Sequence, residues 1–314
     1  MSPLIIGLVA LSAVLHVAWN VRLKTAGDPL RAATIGMLAA SIVIIPAGIL
    51  AWWASGAPSL PLEGVALGVA SGVIEAVYFV FLAAAYRRGD LSVVYPLARG
   101  TAPLLAVVVG VGLLGERLGV AGSLGVVALL AGFLWLQRPW RVLALARSRS
   151  MAAPAVGQST GGAERRSRGA IDTSILFALA TGVTIATYTA IDRVGVRLIE
   201  PLPYAAILWL TTCVALVLWI AFVAGGDLLR HGPAATRHAA VGGWLTLGAY
   251  LCVLVALSVA PLSGVAPLRE SATVFAAAWG SVKLGEAADR AEVGRRVGAS
   301  VFIVGGALLL AIGG

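Results

Sequence analysis

Charge is scarce in this sequence. Asp, Glu, Lys and Arg make up 12% of its 314 residues, about half the share a soluble domain carries. That composition excludes an ordinary water-soluble enzyme. Cysteine is nearly absent: Cys213 and Cys252 both fall inside apolar runs, so neither a structural disulfide nor a cysteine metal cluster is expected. With three histidines, His16, His231 and His238, and no HExxH pair, metal chemistry has few ligands to draw on. Neither a metal nor an organic cofactor is expected, and no serine in a span has a convincing base beside it. The opening stretch "MSPLIIGLVALSAVLHVAWN" lacks a basic leader and a small-residue cleavage site, so it reads as a first membrane span rather than a signal peptide.

What remains is hydrocarbon. Some 60% of the residues are apolar, and mean hydropathy is +0.96. With a helix of about 20 apolar residues as the template, ten spans are predicted: 3–22, 31–54, 62–86, 92–114, 118–137, 172–192, 203–225, 238–259, 263–284 and 293–312. Between the fifth and sixth runs "RPWRVLALARSRSMAAPAVGQSTGGAERRSRGA", which has the composition of a flexible linker. The predicted organisation is a five-helix unit over 1–138, a linker over 139–171, and a second five-helix unit over 172–314.

The two units resemble each other. A shift of 170 residues superposes Gly115-Glu116 on Gly285-Glu286, Arg99 on Arg269, Thr101 on Ser271 and Ala102 on Ala272, which indicates an internal repeat. Of the 23 Lys and Arg residues, 18 fall in the odd-numbered connections. Three, Arg117, Arg193 and Arg197, fall in even ones, and Arg99 and Arg269 lie inside spans. The positive-inside rule then places the odd connections in the cytoplasm and both termini outside. Units with an odd number of helices are oppositely oriented, the inverted-repeat plan of secondary transporters. The net charge of +9 is explained by this topology, without nucleic acid.

These features resemble the drug/metabolite transporter superfamily, specifically its ten-helix EamA-type members. The resemblance is carried by the two repeats, by "HVAWNVRLK", by "AAAYRRGDLSVVYPLARGTAPLLA", and by the Gly-Glu ends of the fourth and ninth spans. It implies an all-α membrane protein of two inverted five-helix repeats around a central cavity. It also implies a secondary transporter of small metabolites in the inner membrane, often an exporter. Members are usually drawn with cytoplasmic termini, and the charge distribution departs from that. The expected partners are a small-molecule substrate and the lipid bilayer, and a homodimer is compatible with the sequence. A lipid flippase of the same fold is the alternative.

Four charged residues are expected away from the span ends: Glu75, Arg99, Arg269 and Glu270. A charge in hydrocarbon costs at least about 3 kcal/mol, so each needs a reason to be there. The arginines either pair with the two glutamates as structural ion pairs, or face a cavity where a guanidinium binds an anionic group. In the second case a glutamate competes with substrate for the cation, and its protonation couples transport to protons. Tyr78, Tyr95, His16 and Asn20 are the expected lining residues. Trp19 reads as an interfacial anchor. Gly64, Gly68 and Gly72, four apart on one face of the third span, read as a helix-packing stripe. Glu116 and Glu286 are expected to cap helix ends at the water boundary.

Overall fold

The structure is a computed structural model that describes residues 2–88, 91–138, 140, 144, 161–222, 232–269 and 290–313. These form ten helices and, among the described residues, no strand: α1 Pro3–Lys24, α2 Pro29–Ala54, α3 Leu62–Arg88, α4 Leu91–Gly112, α5 Val120–Gln137, α6 Gly161–Leu198, α7 Pro201–Phe222, α8 Pro233–Val259, α9 Leu262–Arg269 and α10 Arg290–Gly313. Six stretches are long and apolar enough to cross a membrane: Pro3–Leu23, Pro29–Ala54, Leu62–Arg88, Thr173–Leu198, Pro201–Phe222 and Pro233–Val259. Shorter apolar helices lie at Thr101–Gly112, Val120–Trp135 and Val297–Leu310.

Helix starts are set by proline and small polar residues. Pro3, Pro29 and Pro233 open α1, α2 and α8, where a missing N–H costs nothing. Ser2 and Asp28 cap the first two; Asp28 accepts from the N–H groups of Leu30 and Arg31 at 3.1 and 3.3 Å. Pro201 likewise begins α7. Helix α4 stays helical through Pro96.

Two halves, α1–α5 and α6–α10, pack face to face, and their contacts show the inverted repeat. Helix α2 packs on α7, α4 on α9 and α5 on α10; α3 packs on α6 where α1 packs on α8, and on α7 where α2 packs on α8. Exchanging α1–α5 with α6–α10 maps this pattern onto itself, as a twofold axis between the halves requires. Helices α3 and α6 run antiparallel. Gly64, Ser71 and Tyr78 of α3 meet Ile199, Asp192 and Tyr188 of α6 in reverse order.

Small residues bring these helices together. Gly64 lies against Leu198 and Ile199, Gly68 against Tyr204 and Ile207, and Gly72 against Leu208 and Thr211, so the stripe on α3 is a packing surface. Backbone meets backbone at two further crossings, Gly36 with Gly243 and Gly125 with Gly306. A methyl group at Gly243 would run into the Gly36 carbonyl. Gly243→Ala is therefore expected to lower stability by about 1–3 kcal/mol through overpacking. Gly305→Ala, where the added carbon meets nothing within 4 Å, should change it little; thermal unfolding of both variants in detergent checks the contrast.

Candidate functional site

A polar seam runs through the centre of this apolar bundle, most easily followed along α6. In chain order that helix presents Thr181, Tyr188, Asp192 and Arg193 to the interior, all buried. The first two lie toward the face where the linker joins the halves. The last lies toward the opposite face, where α4 turns into α5.

The linker-side part of the seam is a small cavity lined by His16, Asn20, Tyr78, Tyr86, Tyr188 and Arg269, among others. Arg269 is 6% exposed, yet among the described residues it has no carboxylate within 4 Å. Its guanidinium sits over the Tyr250 ring at 5.7 Å, and one Nη2–H points at His16 Nδ1 at 3.5 Å. Among the described residues the buried Nε–H has no acceptor. His16 Nδ1 also accepts from Trp19 Nε1 at 2.9 Å, so the imidazole proton belongs on Nε2. Asn20 donates to its own helix, at the His16 carbonyl, 2.8 Å away. Tyr78, Tyr188 and Tyr250 form an edge-to-face ladder with centroids 5.8 and 5.9 Å apart. Trp19 is buried at 4% exposure against His16 and Phe79; it packs in the interior and is not an interfacial anchor.

Deeper in the seam are two carboxylates. Asp192, fully buried, accepts from Ser71 Oγ at 2.5 Å and Tyr204 OH at 2.8 Å on one oxygen, and from Tyr250 OH on the other. Glu75, 3% exposed, lies 3.1 Å from Thr212 Oγ1. Arg269 is near enough to act electrostatically on both, although it pairs directly with neither. Of the alternative in which the two arginines pair with Glu75 and Glu270, the described side chains are only those of Arg269 and Glu75, and these two form no ion pair.

The far end is bolted shut. Gly115, at φ +64°, takes the left-handed turn that glycine tolerates. That turn swings Glu116 back under the first residues of α9. Its carboxylate accepts from the N–H of Leu262 at 2.6 Å, the N–H of Ser263 at 2.9 Å and Ser263 Oγ at 2.8 Å, supplying acceptors and a negative charge to a helix start. Arg193 Nε completes the set at 3.3 Å, and Arg193 Nη1 donates to the Leu257 carbonyl at 2.6 Å. The capping role expected of Glu116 holds. Its place at the water boundary does not, because its side chain is 7% exposed and that of Arg193 10%.

Of the expected site residues, the structure brings together Arg269, His16, Asn20 and Tyr78 around one cavity, with Glu75 behind them. The side chains of Arg99 and Tyr95, and all of Glu270, lie outside the described residues, as does Glu286. Asp192 and Arg193 are the additions. The predicted span 172–192 ends at Asp192 and places Arg193 in a connection. The punctuation that marks the real end is Pro201, nine residues on, and α6 continues to Leu198.

The Glu116–Arg193 pair generates a stability prediction. Removing one member leaves a buried charge without its partner, at a cost of about 3–5 kcal/mol, so Glu116→Ala should unfold at much lower temperature than wild type. Arg87→Ala breaks a half-exposed pair with Asp28 at 2.8 Å, worth at most about 1 kcal/mol. Melting curves of the two variants in the same detergent measure the difference.

A sequence profile of the EamA-like transporter family matches residues 3–137 and 172–312. A comparison with curated protein sequences finds no match. One solved structure, titled only "Crystal structure of protein", is similar to 98% of this chain over 95% of its own length, with a TM-score of 0.64 and 21% identity; that similarity concerns the fold. With the two five-helix units, their twofold contacts and the matched profile together, the chain belongs to the EamA-like transporter family and is a multi-pass membrane transporter of the drug/metabolite type.

Proposed function

We propose that the protein is a secondary active transporter of the inner (plasma) membrane that moves a small metabolite with an anionic group, such as an amino acid, an organic anion or a drug-like acid, by alternating access. Arg269 is the anion-binding group. Arg99, its repeat counterpart, together with Tyr78, Tyr95, His16 and Asn20, completes the site, and Glu75 and Glu270 serve proton coupling or ion pairing, with exchange of one metabolite for another as the proton-free version.

The observation that carries this reading is Arg269: a buried guanidinium, without a carboxylate partner among the described residues, with an Nε–H that has no acceptor, lining a cavity. A structural cation in hydrocarbon would be paired. An unpaired one supplies a planar fork of donors to an incoming carboxylate, phosphonate or sulfonate. The cavity has about 20 Å³ free, room for about one water, against several hundred Å³ for a metabolite. A metabolite therefore fits at Arg269 only when the halves part. The Glu116–Arg193 bolt supports entry from the linker face.

A flippase needs a lateral path from lipid to the polar seam. An apolar groove of about 660 Å³ does open between α2 and α7, lined by Ile42, Ile45, Pro46, Val214 and Leu218 among others, but it shares no lining residue with the cavity at Arg269. The metabolite reading is the stronger for that.

A thermal-shift screen of purified protein against amino acids, organic acids, sulfonates, phosphonates and cationic drugs tests the proposal. A compound at 100 times its Kd adds about 2.7 kcal/mol to apparent stability. The expected result is stabilisation by anionic compounds that is lost in Arg269→Ala and weakened in Arg269→Lys, which keeps the charge and loses the fork. Undiminished stabilisation of Arg269→Ala would contradict it.

A further inference from the structure

The two carboxylates behind Arg269 are not equivalent, and hydrogen counting separates them. Around Asp192, Ser71, Tyr204 and Tyr250 each have one hydroxyl hydrogen, and each directs it at a carboxylate oxygen. An ionised carboxylate is acceptor-only and takes all three. A proton on Asp192 would be a fourth hydrogen in a fully buried cluster and would force one of these hydroxyls to turn from donor to acceptor.

The surroundings of Glu75 are the reverse. Thr212 Oγ1 lies 2.9 Å from the Leu208 carbonyl, 3.0 Å from the Gly72 carbonyl and 3.1 Å from Glu75 Oε2. The hydroxyl has one hydrogen to give, and carbonyls only accept. If Glu75 is ionised, two of these three contacts set acceptor against acceptor. If Glu75 carries a proton it donates to Thr212, which donates onward to a carbonyl, and its contact with Thr212 becomes a hydrogen bond. No cation lies within 4 Å of Glu75 among the described residues. The titratable or charged groups that face it are Asp192 from α6, Tyr204 and Cys213 from α7, Tyr250 from α8 and Arg269 from α9.

We infer that in this closed conformation the seam holds one carboxyl proton, on Glu75, while Asp192 is the fixed anion that balances Arg269. The three groups then sum to zero charge, the arrangement hydrocarbon favours. Asp192, which no sequence motif marked, thereby becomes a positioning residue of the transport site, acting on Arg269 through Tyr250, whose hydroxyl it binds and whose ring lies under the guanidinium. An anion arriving at Arg269 leaves the group one charge negative. One further proton taken into the seam restores neutrality, so each anionic charge bound brings one proton with it.

This inference builds on Arg269 as the anion site, but its test uses no substrate and stands or falls separately. Infrared difference spectra of the purified full-length protein in nanodiscs near neutral pH, wild type minus variant, read the C=O stretch of a buried protonated carboxyl. The expected result is an acid band that disappears in Glu75→Gln and persists in Asp192→Asn. Thr212→Val, which leaves the carboxyl in place and removes its hydrogen-bond partner, should shift the band to higher frequency without abolishing it, and reads the same assignment should Glu75→Gln fail to fold. A band that survives Glu75→Gln, a band lost in Asp192→Asn, or no acid band in wild type would each overturn the assignment.

Discussion

Hydrocarbon offers no partner to a charge, so the protein must answer every ionised side chain it takes into the membrane. That constraint organises this structure. Asp192 is answered by three hydroxyls from three helices, α3, α7 and α8. Glu116 and Arg193 answer each other and three backbone groups. Each solution draws on both halves of the molecule, and these polar groups therefore fix how the halves dock. Apolar packing alone would do so poorly, because lipid tails are as apolar as the helix surfaces.

Among the described residues Arg269 is the exception, and the proposed function rests on it. Its partners are an aromatic face, an imidazole nitrogen at the limit of hydrogen bonding, and nothing at Nε. Residues 192 and 193 stand side by side on α6 and face different parts of the seam, Asp192 the central hydroxyl cage and Arg193 the Glu116 carboxylate at the far end. A movement of α6 that opens the cage would therefore disturb the Glu116–Arg193 pair as well.

Much of this was legible before any coordinates. Composition gave lipid as the solvent, the apolar runs gave the spans, and the shared "LLGE" and "KLGE" ends revealed the repeat. Gly64, Gly68 and Gly72 announced a packing face because a period of four is a helix face whatever surrounds it. Arg269, Glu75, Tyr78, His16 and Asn20 stood out as polar residues within apolar runs. Asp192 and Arg193 did not, because near a span end the same two letters describe a wet loop and a buried junction equally well. What distinguishes them is partners 121 and 77 positions away in the chain, and no local pattern encodes those. Glu116 shows the same limit: its motif indicated a cap, but only the fold shows that the helix it caps is α9.

The central claim is that Arg269 is held open for a substrate anion. A structure of the full-length protein in nanodiscs, determined with an anionic compound that stabilises it, tests this most directly. The account predicts the compound's anionic group within hydrogen-bonding distance of the Arg269 guanidinium, in a cavity enlarged on the linker side, with the Glu116–Arg193 pair intact. A protein carboxylate paired with Arg269 while the compound sits elsewhere, for instance in the apolar groove between α2 and α7, would contradict it.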